Sequence, residues 1–130
     1  MLFEYKAKID EYFGTNWVLT PFFIDGARYE KPPNNEYITL QLIPNERVSL
    51  TNSNNMIDES GIIKIFCYAE SATLAYKLAS EVQKFLELQT IEGANIYEGR
   101  GDGNGAVHLN DGVYETLLLF KISLIDQIAC

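Results

Sequence analysis

Between residues 60 and 88 the hydrophobic period of the chain changes once, from two to about 3.6, and that change leaves few folds open. In SGIIKIFCYA, Ile63, Ile65, Cys67 and Ala69 alternate with Ile62, Lys64, Phe66 and Tyr68, so the two sets point to opposite faces of a strand. After Glu70 and Ser71, Leu74, Ala75, Leu78, Ala79, Val82, Phe85 and Leu86 recur at steps of three and four, while Lys77, Glu81, Lys84 and Glu87 fall elsewhere. The spacing predicts an amphipathic helix over residues 72 to 88, whose apolar stripe needs a sheet or another helix to cover it. Ser71 is placed to cap it, since a hydroxyl accepts from an early unpaired N–H, and Glu70 sits at the positive end of the helix dipole.

The rest of the chain is read around this unit. Residues 2 to 13 set Leu2, Tyr5, Ile9, Tyr12 and Phe13 along one helical face, with Gly14 as the expected stop. WVLTPFFID is aromatic and β-branched, but Pro21 lacks a ladder N–H, so an edge strand or two short extended pieces are expected. Residues 26 to 36 read as a loop. EYITLQLI alternates as a strand that ends at Pro44, with RVSL extending or restarting it. TNSNNMIDE, residues 51 to 59, reads as an exposed loop rich in turn formers. ANIYEG and AVHL read as short strands separated by GRGDGNG, and residues 113 to 126 as a long strand whose centre is apolar on both faces. Together these give an α+β fold: a mixed or antiparallel sheet of about four to six strands with two helices packed on one side, in one domain spanning residues 1 to 130.

Charge and composition restrict the function. Ten basic against eighteen acidic residues leave a formal −8, with no Lys/Arg cluster, which argues against a dedicated nucleic-acid binder. No apolar run approaches the ~20 residues of a membrane span, and the acids within MLFEYKAKIDEYF are unlike a signal peptide, so the protein is expected to stay where it is made. Cys67 and Cys130 lack metal-ligand spacing and suit a reduced compartment.

The remaining motifs carry little chemistry. His108, Asp111 and Ser60 would nominally form a triad, but no GxSxG elbow or equivalent accompanies them, so His108 is expected to be structural or on the surface. GRGDGNG shares only its glycines with a dinucleotide fingerprint, lacking the following helix, and reads as a hairpin loop. Asp102, Asn104, Asn110 and Asp111 lack the spacing of a calcium loop. The tripeptide Arg100-Gly101-Asp102 is short enough to arise by chance. No catalytic residue, metal site or cofactor is assigned, and the chain is expected not to be an enzyme. The crowd of aromatics from Tyr5 to Tyr37 is expected mainly in the core.

The order of these features resembles that of the tail terminator proteins of lambda-like, long-tailed bacteriophages. The resemblance covers nearly the whole chain and rests on layout: a first helix at residues 2 to 13, Trp17 and an extended segment, Pro32 and Pro33 leading into Tyr37 and Ile38, the polar stretch at 51 to 59, a strand opened by Ser60 and Gly61, the helix from Ala72, and the long last strand. It implies a structural virion protein: a ring, expected to be hexameric, that caps the tail tube, ends its polymerisation and offers a surface for joining to the head. The implied partners are copies of itself, the tail tube protein and a head-completion or connector protein. DNA would pass through the channel unbound, eased by an acidic wall if six copies at −8 each line it. The implied place is the neck of the virion tail, after assembly in the host cytoplasm.

Candidate contacts, chosen as exposed and flexible, are Asn52, Asn54, Met56, Ile57 and Asp58 in the polar stretch and Arg100, Asp102 and Asn104 in the glycine stretch. The alternatives are another head-tail connector or tube-like subunit, or a small-molecule binding module with a closed apolar pocket.

Overall fold

The computed structural model describes residues 4–20, 22–24, 36–49, 56–91, 93–109 and 112–127. In chain order the elements are helix α1 (Tyr5–Asn16), strands β1 (Phe22–Ile24), β2 (Tyr37–Ser49) and β3 (Met56–Ala69), helix α2 (Ala72–Leu86), and strands β4 (Thr90–Ile91), β5 (Ala94–Gly101), β6 (Val107–His108) and β7 (Tyr114–Gln127). The change of period falls where the sequence places it. Ser71 caps α2, with its Oγ accepting from the Leu74 N–H at 3.2 Å.

The strands form one sheet in the order β1-β2-β3-β7-β5-β4, with β6 pairing β7 beyond the end of β5. All pairs are antiparallel except β1 with β2, so the sheet is mixed, and β1 is an edge strand as Pro21 requires. The architecture is the expected α+β, with seven strands because β4 and β6 contribute two residues each.

Register explains the core. Ile38 faces Cys67, Leu40 faces Ile65, Ile63 faces Phe120 and Ile65 faces Leu118. These side chains share one face with Ile96 and Ile122, and all are almost completely buried. Both helices cover this face: α1 contributes Tyr5, Ile9 and Phe13, and α2 contributes Leu78, Ala79, Val82 and Leu86. Phe85 joins the helices, its ring 4.9 Å from Phe13 and 5.2 Å from Trp17. The sheet is curled, and α1 lies against both of its edges, touching β1 and β2 on one side and β4 on the other.

Several boundaries differ from the sequence reading. Helix α1 runs past Gly14 to Asn16, because an exposed glycine is tolerated there and the end is closed by the Trp17 N–H donating to Phe13 O at 2.8 Å. Strand β2 continues through Pro44, where the register with β3 shifts between Pro44 and Glu46; a bulge on a strand already past β1 costs no ladder bond for the missing N–H. Met56, Ile57, Asp58 and Glu59 belong to β3, not to a loop: β7 pairs with all four, and β2 pairs with Ile57, Asp58 and Glu59 on the other side. Pairing with two neighbours overrides their turn-prone local composition. Asn52 and Asn54 lie outside the described residues.

Candidate functional site

The site begins with an irregularity in β5. Tyr97 opposes Lys121 and Arg100 opposes Leu119, so three steps on β5 match two on β7. Such a bulge turns the following side chain to the other face. Arg100 therefore projects from the same face as Tyr97. The sequence places Arg100 in the loop that follows the strand ANIYEG; β5 instead runs on through Arg100 to Gly101, and Gly99 is what makes the bulge possible. A Cβ there would stand 2.5 Å from Cε1 of Phe120, so only glycine lets the strand lie this close to the core. Helix α2 holds the bulge from the other side, Nε2 of Gln83 donating to Gly99 O at 2.7 Å.

This re-aimed arginine faces away from both helices. On that outer face lie Tyr37, Thr39, Gln41 and Ile43 of β2; Ser60, Ile62, Lys64, Phe66 and Tyr68 of β3; and Glu115, Leu117, Leu119, Lys121 and Ser123 of β7. At one end it is closed by aromatic contact: Tyr37 and Tyr68 stack at 4.4 Å with their planes 14° apart, and Tyr37 and Thr39 are buried. Burial, then the hydrogen bond and charge of Glu115, push the Tyr68 phenol above the usual tyrosine range, against the opposing hydrogen bond from Thr39. Farther along, Ile43, Ile62, Phe66, Leu117 and Leu119 remain half-buried, and no helix of the described residues covers them.

Within this face Ser60, Ile62, Tyr97, Arg100, Leu119 and Lys121 line a trough of about 300 Å³. Its floor is apolar and its rim carries a guanidinium, an ammonium and a phenol. Arg100 makes no ion pair among the described residues. A planar guanidinium is suited to receive a carboxylate or phosphate through two parallel hydrogen bonds. The charged side chains described on the outer face are Lys64, Arg100, Lys121 and Glu115. A second hollow, about 430 Å³, lies between Leu19 and Thr20 and the start of α2, lined by Glu36, Leu74, Lys77, Leu78 and Glu81.

The sequence candidates separate. Arg100 reaches the trough. Asp102 and Asn104 lie past the end of β5 in a turn closed by the Asn104 N–H donating to Oδ1 of Asp102 at 2.9 Å. That turn is fastened to α2 by Tyr76, whose hydroxyl accepts from the Ala106 N–H at 2.8 Å. Met56, Ile57 and Asp58 lie at the start of β3, at backbone positions facing Gln127, Asp126 and Ile125. Sequence reasoning missed Tyr97, Lys121, Ile62 and Leu119 as neighbours of Arg100, because their meeting depends on the order of strands in the sheet. The signal was present only as the two-sided apolar pattern of the last strand.

The nominal triad does not assemble. His108 pairs with Tyr114 and Ser60 with Ser123, nine residues apart along β7, or about 30 Å. His108 is exposed and its ring lies 4.8 Å from Tyr114. Asp111 lies outside the described residues. Among the described residues no group of three or more His, Cys, Asp or Glu side chains is placed to hold a metal ion, and no helix is long and apolar enough to cross a membrane.

No family model matches the chain, and no curated protein matches it. A solved structure of a protein known by an identifier alone is similar to it over 97% of this chain and 93% of that one, with a TM-score of 0.56 and 8% sequence identity. At that identity the likeness extends to the fold: the chain shares a curled α+β architecture with a protein whose name carries no function.

Proposed function

We propose that this chain is a structural subunit of a long-tailed phage, forming a ring that caps the tail tube, ends its polymerisation and provides the surface for joining to the head. The observation that carries this reading is the outer face of the sheet. Ile43, Ile62, Phe66, Leu117 and Leu119 lie half-buried on a surface that the chain's own helices leave open. Apolar side chains left partly open on a sheet face, here interspersed with Lys64 and Gln41, suit a surface that meets another protein. The layout shared with tail terminators gives that surface its role. Its site of action would be the neck of the virion tail, with the tube protein and a connector as partners and DNA passing through the channel unbound.

A small-molecule binding module would need a closed apolar pocket between helices and sheet. That space is occupied by Phe13, Leu86, Ile63 and Phe120, all almost completely buried. Another connector or tube-like subunit would use the same exposed face, and differs only in where it sits along the tail.

The test is the solution mass of the purified protein across a concentration series, followed by negative-stain imaging alone and with purified tail tubes. Rings, free or seated on tube ends, are the expected result. A protein that stays monomeric and leaves tubes uncapped and still elongating overturns the proposal.

A further inference from the structure

The turn after β5 carries a reactive pair of residues outside the proposed contact surface. Asn104 is the one asparagine of the sequence that is followed by glycine. It is exposed, and its Nδ2 donates to Oδ2 of Asp102 at 3.1 Å. The N–H of Gly105 makes no hydrogen bond among the described residues. Gly105 is itself demanded by the fold: its φ is +67°, and a Cβ there would stand 2.6 Å from the Tyr76 hydroxyl. That hydroxyl is the group that fastens the turn to α2 through the Ala106 N–H. Packing on Tyr76 therefore keeps a glycine behind Asn104.

We infer that Asn104 is a modification site, where the side-chain amide is lost without an enzyme and the turn comes away from α2. The Gly105 nitrogen attacks Cγ of Asn104 and closes a cyclic succinimide. The Cγ–Nδ2 bond breaks, and ammonia leaves with the proton that Gly105 gives up. Solvent water, the sole co-reactant, then opens the ring at either carbonyl and leaves an aspartyl or isoaspartyl residue at position 104. The unbonded N–H supplies the nucleophile, and glycine, lacking a side chain, leaves it open to attack. Asn95 shows the contrast. The nitrogen after it belongs to the buried, β-branched Ile96 and donates to Gln89 O at 2.9 Å. Either product at 104 puts a carboxylate where Nδ2 now donates to Asp102, so a hydrogen bond becomes a repulsion. The isoaspartyl form also adds a methylene to the backbone between Gly101, held opposite Leu118, and Ala106, held by Tyr76. The inference stands apart from the ring reading and survives its failure.

Peptide mass spectrometry of the purified protein, aged at mildly alkaline pH with and without urea, reads the reaction directly. In the folded protein the aspartyl and isoaspartyl peptides spanning residue 104 form at a rate within about threefold of the unfolded chain, because an exposed turn opens at little cost. Asn104→Gln keeps the amide and the turn, and abolishes the product, since its longer side chain closes the corresponding ring far more slowly. Hydrogen exchange at Ala106 quickens in the aged native protein and stays unchanged in aged Asn104→Gln. Loss of ammonia confined to the unfolded chain, or absent from both, overturns the inference. Product at 104 without faster exchange at Ala106 overturns its consequence for the turn.

Discussion

Leu88 follows helix α2 with φ of +63°, the left-handed conformation that a side chain with a Cβ disfavours, and it is 79% exposed. So exposed a side chain gains little from packing to offset the cost, and Leu88→Gly is expected to raise stability by about 0.5 kcal/mol in urea unfolding, after the entropy glycine loses on folding is subtracted. At Tyr68 the constraint is one of burial and charge. Tyr68 keeps its phenolic proton more tightly folded than unfolded, because burial and the Glu115 carboxylate both disfavour the phenolate. The stabilisation that this represents is complete below the ordinary tyrosine range, about pH 10, and is lost as pH rises above it. Absorbance titration should show Tyr68 ionising after the exposed tyrosines, and Tyr68→Phe should flatten the fall in melting temperature on the alkaline side. Its neighbour Cys67 is fully buried, and burial alone pushes its thiol far above the usual range, so it should resist alkylation until the protein unfolds.

At the scale of elements, the bulge in β5 has the clearest consequence. Gly99→Ala would force a methyl group into the Phe120 ring, at an expected cost of about 1–3 kcal/mol, while Gln83→Ala removes only the hydrogen bond across the bulge and should cost about 1 kcal/mol. Chemical denaturation of both variants checks the order. The same place shows what a sequence reveals and hides. Residues 60 to 88 were legible because Ile63, Ile65 and Cys67 keep a period of two and Leu78, Val82 and Leu86 keep helical spacing, and each pattern is local. The strand at Met56 to Glu59 was hidden because its stability comes from β2 and β7, residues far along the chain, and not from its own composition. Arg100 was legible as exposed and polar, but its neighbours Tyr97 and Lys121 were not, since one extra residue in a strand changes which face a side chain occupies.

At the scale of the whole molecule, strands β3 and β7 run side by side over fourteen residues, about 47 Å, while α2 spans about 22 Å. Hydrogen exchange should therefore be slowest at Ile63, Ile65, Leu118 and Phe120, which are flanked by strands on both sides and covered by helices, and fastest in the two-residue strands β4 and β6. The order of strands also bears on how the chain comes to fold at all. β7 follows every other described strand along the chain, yet it lies between β3 and β5 and joins the two halves of the sheet. Until residue 127 has been synthesised, β3 and β5 each wait with an open edge and the core has no middle. Folding thus waits for β7, through contacts of long sequence separation that form slowly. A cell making this protein must keep those waiting strands from pairing with each other's copies, because an open strand edge is a template for pairing with another chain.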